Sequence, residues 1–161
     1  IVSRSEKTEE AFVKFTDMLK YMYDNPTAVK ISLEKEMEYI DNYVEFQELR
    51  HNGHTKVEWV CCIDNPSCQI PPMLLITFVE NAFKYGSSSS RDCTISIKAS
   101  EHEGRLLFET QNRIMKQPLE SQRGIGLENC RSRLELLYPE RYELSISENE
   151  DIYKVRLLIE L

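Results

Sequence analysis

The spacing of apolar residues changes from a helical to a strand period partway along this chain, and this change most restricts the folds available to it. Apolar side chains recur every three or four positions over residues 6–23 and again over residues 33–44, the spacing of two amphipathic helices. From Val57 onward apolar and polar residues alternate, which predicts a strand ending near Ile63. Because helices precede a run of strands, the pattern predicts an α+β fold with helices packed on a sheet.

The rest of the chain continues with two further helices and four further strands. A third helix is predicted from Pro72, which suits the first helical position, to Tyr85, with Gly86 as its cap. The predicted order is therefore α-α-β-α-β-β-α-β-β, a two-layer α/β sandwich whose strand order the pattern does not determine. The later strands are predicted at residues 94–99, 105–111, 143–147 and 153–160, a polar loop at residues 113–123, and the last helix at residues 127–138.

Composition restricts the partners and the surroundings of the chain. Its 161 residues, 41% of them apolar, suffice for one domain with a buried core. The net charge of −7 argues against a nucleic-acid partner, because binding to a phosphate backbone requires clustered Lys and Arg. The five cysteines form no C-x-x-C pair, and their number is odd whereas a disulfide framework would be even, so we expect reduced thiols in a cytosolic setting.

The predicted third helix carries a group of side chains suited to a nucleotide. Asn81, Lys84 and Tyr85 lie within about one turn of each other, on a side of the helix distinct from its apolar stripe. An amide oxygen, an ammonium group and an aromatic ring in this arrangement can bind Mg²⁺, a phosphate and a base. From spacing alone, an ordinary amphipathic helix with a polar face explains the same residues.

A second group, Gly124-Ile125-Gly126-Leu127, lies between the polar loop and the last helix. Two glycines there allow positive φ and a close approach of phosphate oxygens to backbone N–H groups. The N-terminus of the following helix adds a favourable dipole. A flexible loop hinge is the alternative interpretation of a lone G-x-G pattern.

Taken in this order, the two segments resemble those of a known family. Pro-Pro-x-Leu-Leu…Val-Glu-Asn-Ala-x-Lys-x-Gly, ending at Gly86, resembles the N-box of the LytS-type sensor histidine kinases. Gly-Ile-Gly-Leu-x-Asn-x-x-x-Arg-Leu, beginning at Gly124, is similar to their G2 box. Residues 19–50 also resemble the region between the family's phosphoacceptor helix and its ATPase domain. The resemblance implies a Bergerat-type α/β sandwich, with residues 1–30 as a remnant of the dimerisation helix and residues 31–161 as the ATP-binding domain.

The resemblance assigns roles to residues of the third helix. It implies that Asn81 coordinates Mg²⁺, that Lys84 contacts the ATP phosphates, and that Tyr85 stacks on adenine. Phosphoryl transfer would depend on positioning and on charge neutralisation by Mg²⁺ and Lys84. We expect Glu80, next to Asn81, to polarise the attacking imidazole, and a solvated helix carboxylate is the alternative for this residue.

The same resemblance places the triphosphate and the adenine amine. It implies that Gly124, Gly126 and Leu127 flank the triphosphate, with residues 113–123 as the ATP lid. Asn112 stands where the family has the Asp of an Asp-x-Gly-x-Gly box, and both glycines of that box are absent. The Asn112 carbonyl can still accept a hydrogen bond from adenine, but a neutral acceptor binds more weakly than a carboxylate. A turn residue that ends a strand is the alternative for Asn112.

Three functions are compared. The first is transfer of the ATP γ-phosphoryl group to a histidine outside these 161 residues, because no His-Phe-Leu-Phe-Asn motif is present and this chain alone should not autophosphorylate. The second is ATP hydrolysis of the gyrase, Hsp90 or mismatch-repair type. That reaction uses a general-base Glu four residues before the Asn, where Thr77 stands, so we disfavour it. The third is a degenerate module that binds nucleotide or scaffolds a dimer without transfer.

The first function also implies partners and a location. The acceptor helix would belong to the same or the partner subunit of a homodimer, and a response regulator would receive the phosphoryl group downstream. The chain opens at Ile1 without an initiator Met. We therefore expect a cytoplasmic domain of a longer, membrane-anchored bacterial protein.

Overall fold

The computed structural model describes residues 2–24, 29–51, 53–115 and 125–161, and these residues form four helices and seven strands. Every helix and strand predicted from the apolar spacing is present. The helices are α1 (Val2–Asp24), α2 (Leu33–Arg50), α3 (Ile76–Gly86) and α4 (Ile125–Leu137). The strands are β1 (Ile31–Ser32), β2 (Thr55–Ile63), β3 (Gln69–Ile70), β4 (Cys93–His102), β5 (Arg105–Arg113), β6 (Tyr142–Asn149) and β7 (Ile152–Glu160).

Five of the strands form one sheet in the order β2-β4-β5-β7-β6. β2 pairs with β4 in parallel, which requires a crossover that includes α3, and the other three pairs are antiparallel. β1 and β3 form a separate antiparallel pair of two residues each. The apolar pattern did not predict this pair, because two residues are too few to show a period. The predicted α+β sandwich with a preceding helical segment is confirmed.

The core lies between one face of the sheet and helices α2, α3 and α4. On this face the side chains of β4, β5 and β7 are buried at every second position, whereas the alternate positions face solvent or are half-buried. Phe78 of α3 and Phe108 of β5 are fully buried, with ring centroids 6.4 Å apart. Burial of one such side chain stabilises the fold by about 1.5–3 kcal/mol. The sheet therefore holds α3 firmly along its inner face.

α2 begins and ends largely as its sequence predicts. The Ser32 hydroxyl caps its N-terminus by accepting a hydrogen bond from the Lys35 N–H at 3.4 Å. The expected apolar stripe is buried along the whole helix. Beyond its end, Gly53 adopts a φ of +82°, as expected for a left-handed exit, whereas Asn52 lies outside the described residues. The buried stripe consists of Leu33, Met37, Ile40 and Val44.

α1 packs along α2 and leaves one side uncovered. Lys14 bridges to Glu45, with the two charged atoms 2.5 Å apart, and the Tyr21 and Tyr39 rings stack with centroids 4.4 Å apart. Among the described helices, α1 included, none is both long and apolar enough to cross a membrane. Phe15 contacts Phe46 of α2 through its ring and is still 44% exposed. Other large apolar side chains of α1 are exposed, namely Phe12, Val13, Leu19 and Met22.

The start of α3 differs from the prediction, which placed its first residue at Pro72. The helix begins at Ile76, and residues 72–75 form a turn in which Met73 has a φ of +56°. The turn donates its N–H groups to the buried Glu36 carboxylate, and its carbonyl oxygens accept from Arg133 of α4. These tertiary hydrogen bonds replace a first helical turn. Gly86 is the last residue of the helix and Ser87 its cap, one position later than predicted.

Candidate functional site

The outer side of α3 carries the three residues predicted to bind nucleotide. Its inner side is buried on the sheet through Phe78 and Ala82. On the outer side, Asn81 and Tyr85 are half-buried and Lys84 is exposed. The Lys84 ammonium nitrogen lies 5.2 Å from the centroid of the Tyr85 ring. The structure therefore brings Lys84 and Tyr85 together, one helical turn after Asn81.

Asn112 of β5 lies buried beside the end of α3. Its Nδ2 donates to the Arg113 carbonyl oxygen at 3.0 Å, whereas its Oδ1 is buried without a hydrogen-bond partner among the described residues. A buried acceptor in this state costs about 1–3 kcal/mol unless a donor reaches it. Asn112 is only 1% exposed, so this unsatisfied acceptor is closed off from solvent within the described residues.

Gly86 makes this position of Asn112 possible. A Cβ built on Gly86 would lie 2.5 Å from the Cβ and 2.7 Å from the Cγ and Nδ2 of Asn112. No side chain other than hydrogen fits there without displacing the amide. Local patterns predict only a capping role for Gly86, and they do not contain its packing role because Asn112 follows 26 positions later.

The predicted lid segment begins in ordered structure. Arg113 is the last residue of β5 and pairs with Asp151 at 3.1 Å. The Ile114 N–H donates to the Asp151 carbonyl oxygen, and the Met115 N–H donates to the Tyr85 carbonyl oxygen at 2.8 Å. The prediction of a loop from Arg113 is therefore wrong for Arg113 alone, because this residue extends β5, and Ile114 and Met115 are irregular residues held by backbone hydrogen bonds. Residues 116–123 lie outside the described residues.

The second predicted group lies at the start of α4, although Gly124 lies outside the described residues. Gly126 is exposed within the first turn of the helix, where a Cβ would lie 3.4 Å from Thr77 Cγ2 of α3. The positive φ expected for this glycine is not observed. Leu127 is half-buried against the core. The first N–H groups of a helix have no intrahelical acceptor, so this end of α4 can bind a phosphate.

The two ends of the site are separated along α3. Gly86 and Asn112 lie at its C-terminal end, and the start of α4 lies beside Thr77 at its N-terminal end. From Thr77 to Gly86 the helix rises about 14 Å. Asn81 lies between them, one turn after Thr77. The arrangement gives an acceptor for a base at one end, an amide oxygen in the middle, and a helix N-terminus at the other end.

Glu80 points to a different side of α3 from Asn81. Successive helical residues are rotated by about 100°. Partial desolvation raises the pKa of the Glu80 carboxyl, although the side chain reaches the surface. Burial, and then the nearby Glu80 charge, raise the pKa of Tyr43 to about 12, and the same two causes raise the pKa of Tyr39. Glu80 therefore faces α2, and the structure does not place it on the side of the helix that carries Asn81.

A metal ion would rely on few protein ligands. Among the described residues, no group of three or more His, Cys, Asp or Glu side chains could hold one. Mg²⁺ commonly binds through one or two protein ligands together with water and substrate phosphates. A single amide oxygen from Asn81 is compatible with such a nucleotide-borne ion.

The known proteins that this chain resembles are sensor proteins and histidine kinases. The family model described as histidine kinase matches residues 1–55. The sensor histidine kinase YesM of Bacillus subtilis is 29% identical over 147 residues, which cover 85% of this chain and 26% of YesM. The sensor protein LytS of Staphylococcus saprophyticus is 25% identical over 161 residues, which cover 91% of this chain and 27% of LytS. The chain thus spans about a quarter of the length of these relatives.

Solved structures share the fold at low sequence identity. The histidine kinase domain of the blue-light activated kinase EL346 from Erythrobacter litoralis superposes with a TM-score of 0.59 at 14% identity. That match covers 96% of this chain and 75% of EL346. Full-length ShkA, in complex with AMPPNP, gives a TM-score of 0.55 at 12% identity and covers 99% of this chain and 38% of ShkA.

Proposed function

Since this chain is recognised as the catalytic domain of a LytS-type sensor histidine kinase, we propose that it binds Mg-ATP and transfers the γ-phosphoryl group to a histidine outside these 161 residues. ATP would lie along α3 between Asn112 and the start of α4. ShkA, which shares the fold, is in complex with AMPPNP, and this supports a nucleotide as the ligand.

The observation that carries the proposal is the unpaired Oδ1 of Asn112. This oxygen is an acceptor with no donor in the part of the chain that the structure describes, and it is fixed in orientation because the Nδ2 of the same amide is bound to the Arg113 carbonyl. The exocyclic amine of adenine donates two N–H groups and would satisfy it once the groups that cover the oxygen move aside. Tyr85, at the same end of α3, offers an aromatic face for the base.

Three kinds of group for the phosphates are spread from the base end of α3 to the start of α4. Lys84 offers a cationic ammonium group, Asn81 an amide oxygen for Mg²⁺, and the first turn of α4 backbone N–H groups from Gly126 and Leu127. Mg²⁺, when bound, neutralises negative charge on the phosphates. Gly124 and residues 116–123, which we propose as part of the lid, lie outside the described residues.

Transfer requires an acceptor imidazole to approach the γ-phosphorus in line with the leaving ADP oxygen. A bond then forms from the imidazole nitrogen to phosphorus while the bond to the bridging oxygen of ADP breaks. Glu80 faces α2, and Tyr39 of α2 stacks on Tyr21 of α1. A histidine on a helix packed against α1 would approach from this side, which supports Glu80 as the residue that polarises it.

The partners follow from this arrangement. We place the acceptor helix in the same or the partner subunit of a homodimer, and the exposed apolar side of α1 supports a helical partner there. A response regulator would take the phosphoryl group from the histidine. The relatives are named as sensors, which supports a cytoplasmic domain joined to a membrane-bound sensory part.

A degenerate module that binds nucleotide without transfer is the second candidate. Asn112 favours it because a neutral acceptor binds the adenine amine more weakly than a carboxylate does. The hydrogen bond from the Met115 N–H to the Tyr85 carbonyl oxygen also favours it, because it fixes the backbone next to the base. ATP hydrolysis by a general base is disfavoured because Thr77 lacks a carboxylate.

Incubation with labelled ATP separates these candidates. A chain extended upstream to include an acceptor histidine should gain acid-labile phosphate, while the 161-residue chain should gain none. The same extended chain with Asn81→Ala serves as the matched control and should stay unlabelled. Label on His51, His54 or His102 of the short chain would contradict the proposal, and an extended chain that binds ATP but stays unlabelled would favour the degenerate module.

A further inference from the structure

Glu36 of α2 is a fully buried carboxylate whose bonding partners come from two other parts of the fold. Its Oε2 accepts from the Tyr21 hydroxyl of α1 at 2.5 Å and from the Met73 N–H at 2.9 Å. Its Oε1 accepts from the Leu75 N–H at 3.1 Å. Burial raises the pKa of Glu36, and the hydrogen bonds from Tyr21 and from the backbone oppose that rise. One carboxylate therefore joins α1 to the 72–75 turn that precedes α3.

The other side of the 72–75 turn is bound by α4. Arg133 donates to the Pro72 carbonyl oxygen at 2.8 Å and to the Met73 carbonyl oxygen at 3.4 Å. The turn is thus held by Glu36 through its N–H groups and by α4 through its carbonyl groups. Met73 adopts a φ of +56°, a conformation that non-glycine residues rarely adopt and that persists only when its surroundings impose it.

The 72–75 turn lies between α1 and α4. We place α1 next to the acceptor helix, and α4 borders the proposed phosphate end. Tyr21 lies on α1, and its hydroxyl is also 3.4 Å from the Met73 nitrogen. α4 reaches the turn through Arg133 and reaches Thr77, the second residue of α3, through Gly126. A displacement of α1 along α2 would remove the hydroxyl from Glu36 and leave a buried carboxylate with fewer donors, which is costly.

We propose that Tyr21 and Glu36 are positioning residues that couple the placement of α1 to the 72–75 turn and, through Arg133, to the start of α4 at the nucleotide site. The nucleotide part of this coupling rests on the proposed function, whereas the structural part is independent of it. Since coupling between sites is reciprocal, occupation of the nucleotide site shifts the preferred placement of α1 as well.

Hydrogen exchange of the 161-residue chain tests the structural part. Tyr21→Phe removes the hydroxyl and keeps the stacked ring, so the Met73 and Leu75 amides and the hydrogen-bonded amides of α4 from Asn129 onward should exchange about tenfold faster, the scale of a hydrogen bond to a charged group. β5 is the internal reference and should not change. Tyr23→Phe, on the same helix with an 81% exposed side chain, is the matched control and should change none of these amides.

A second variant tests the coupling from the opposite side. Arg133→Lys keeps the charge but loses the fork that binds both carbonyl oxygens. It should speed the exchange of the turn and of α1 around Tyr21. Faster exchange in the turn alone, equal acceleration of β5, or no change in the Tyr21→Phe chain would each overturn the coupling.

Titration with Mg-ADP then tests the link to the site. Tyr21→Phe should weaken binding several-fold, and Tyr23→Phe should leave it unchanged. If the Tyr21→Phe chain bound Mg-ADP as tightly as the parent chain, the link between Tyr21 and the nucleotide site would be overturned. If the parent chain bound no Mg-ADP, that result would instead contradict the proposed function. Hydrogen exchange of α4 in the free protein would still decide whether Tyr21 is coupled to α4.

Discussion

Asn112 is pressed against Gly86: a Cβ at Gly86 would lie 2.5 Å from the Cβ of Asn112. The contact joins the end of α3 to the end of β5, where the Asn112 Oδ1 is buried with no partner in residues 2–24, 29–51, 53–115 and 125–161. The base end of the proposed site therefore requires that residue 86 has no side chain and that residue 112 has an amide.

Gly86→Ala should displace the Asn112 side chain. We expect the free energy of unfolding to fall by about 1–3 kcal/mol, as overpacking of a buried site does, and Mg-ADP binding to weaken. Gly126→Ala is the matched control for stability. Its Cβ meets Thr77 Cγ2 at 3.4 Å within a helix, where Ala is favoured over Gly, so stability should stay or rise. Urea denaturation measures both, and equal stabilities for the two variants would contradict the packing argument.

Asn112→Leu should separate binding from stability. The free protein loses an unsatisfied buried oxygen but also the donor to the Arg113 carbonyl, so its stability should change by less than about 1 kcal/mol. Nucleotide affinity should fall at least about tenfold, because the base loses its acceptor. Thr110→Val, at a buried position two residues earlier on the same strand face, should leave affinity intact. Undiminished binding by the Leu variant in calorimetry would remove Asn112 from the site.

Tyr43 should make stability fall in alkali. Burial and the Glu80 charge raise its pKa from 10.0 to about 12. The unfolded chain therefore releases this proton near pH 10 while the folded chain keeps it, so the free energy of unfolding decreases as pH rises from 10 to 12. For a half-buried ring the loss should be about 1–2 kcal/mol, after allowance for solvent screening. Denaturation of the parent and of Tyr43→Phe across this range measures it, and identical profiles would contradict the assignment.

The uncovered side of α1 should cause self-association. Phe12 is 67% exposed, with Phe15, Leu19 and Met22 on the same helix also exposed. Phe12→Glu should therefore shift the chain toward the monomer in sedimentation experiments. Leu136→Glu changes a 79% exposed apolar residue on α4 and should not alter association. A parent that is monomeric at every concentration, or equal effects of both variants, would exclude α1 as the associating surface.

Local patterns predicted the elements of this fold well and their tertiary contacts poorly. The stripe of α2 and its Ser32 cap depend on neighbours within a few residues, and both are confirmed. The predicted start of α3 was wrong. It was placed at Pro72 because proline is a favourable first helical residue by local rules. The contacts of the 72–75 turn with Glu36 and Arg133 override that preference, and neither partner lies near the turn in sequence.

In the candidate site, too, local patterns predicted what lies within one helix and missed what depends on tertiary packing. Asn81, Lys84 and Tyr85 share one helix, so their proximity follows from spacing. The proximity of Gly86 to Asn112, and of Gly126 to Thr77, depends on how β5 and α4 pack on α3, and no local pattern contains that information. The orientation of Glu80 toward α2 likewise depends on packing.

Calorimetric titration with Mg-ADP tests the central claim most directly. The parent chain should bind ADP in the presence of Mg²⁺ and much more weakly when the metal is chelated. Asn81→Ala should lose at least about tenfold in affinity, as expected when a metal ligand is removed, with an unchanged free energy of unfolding because Asn81 is only half-buried. Equal affinity of the parent and the variant, or no binding by the folded parent, would contradict the assignment of α3 as the nucleotide-binding helix.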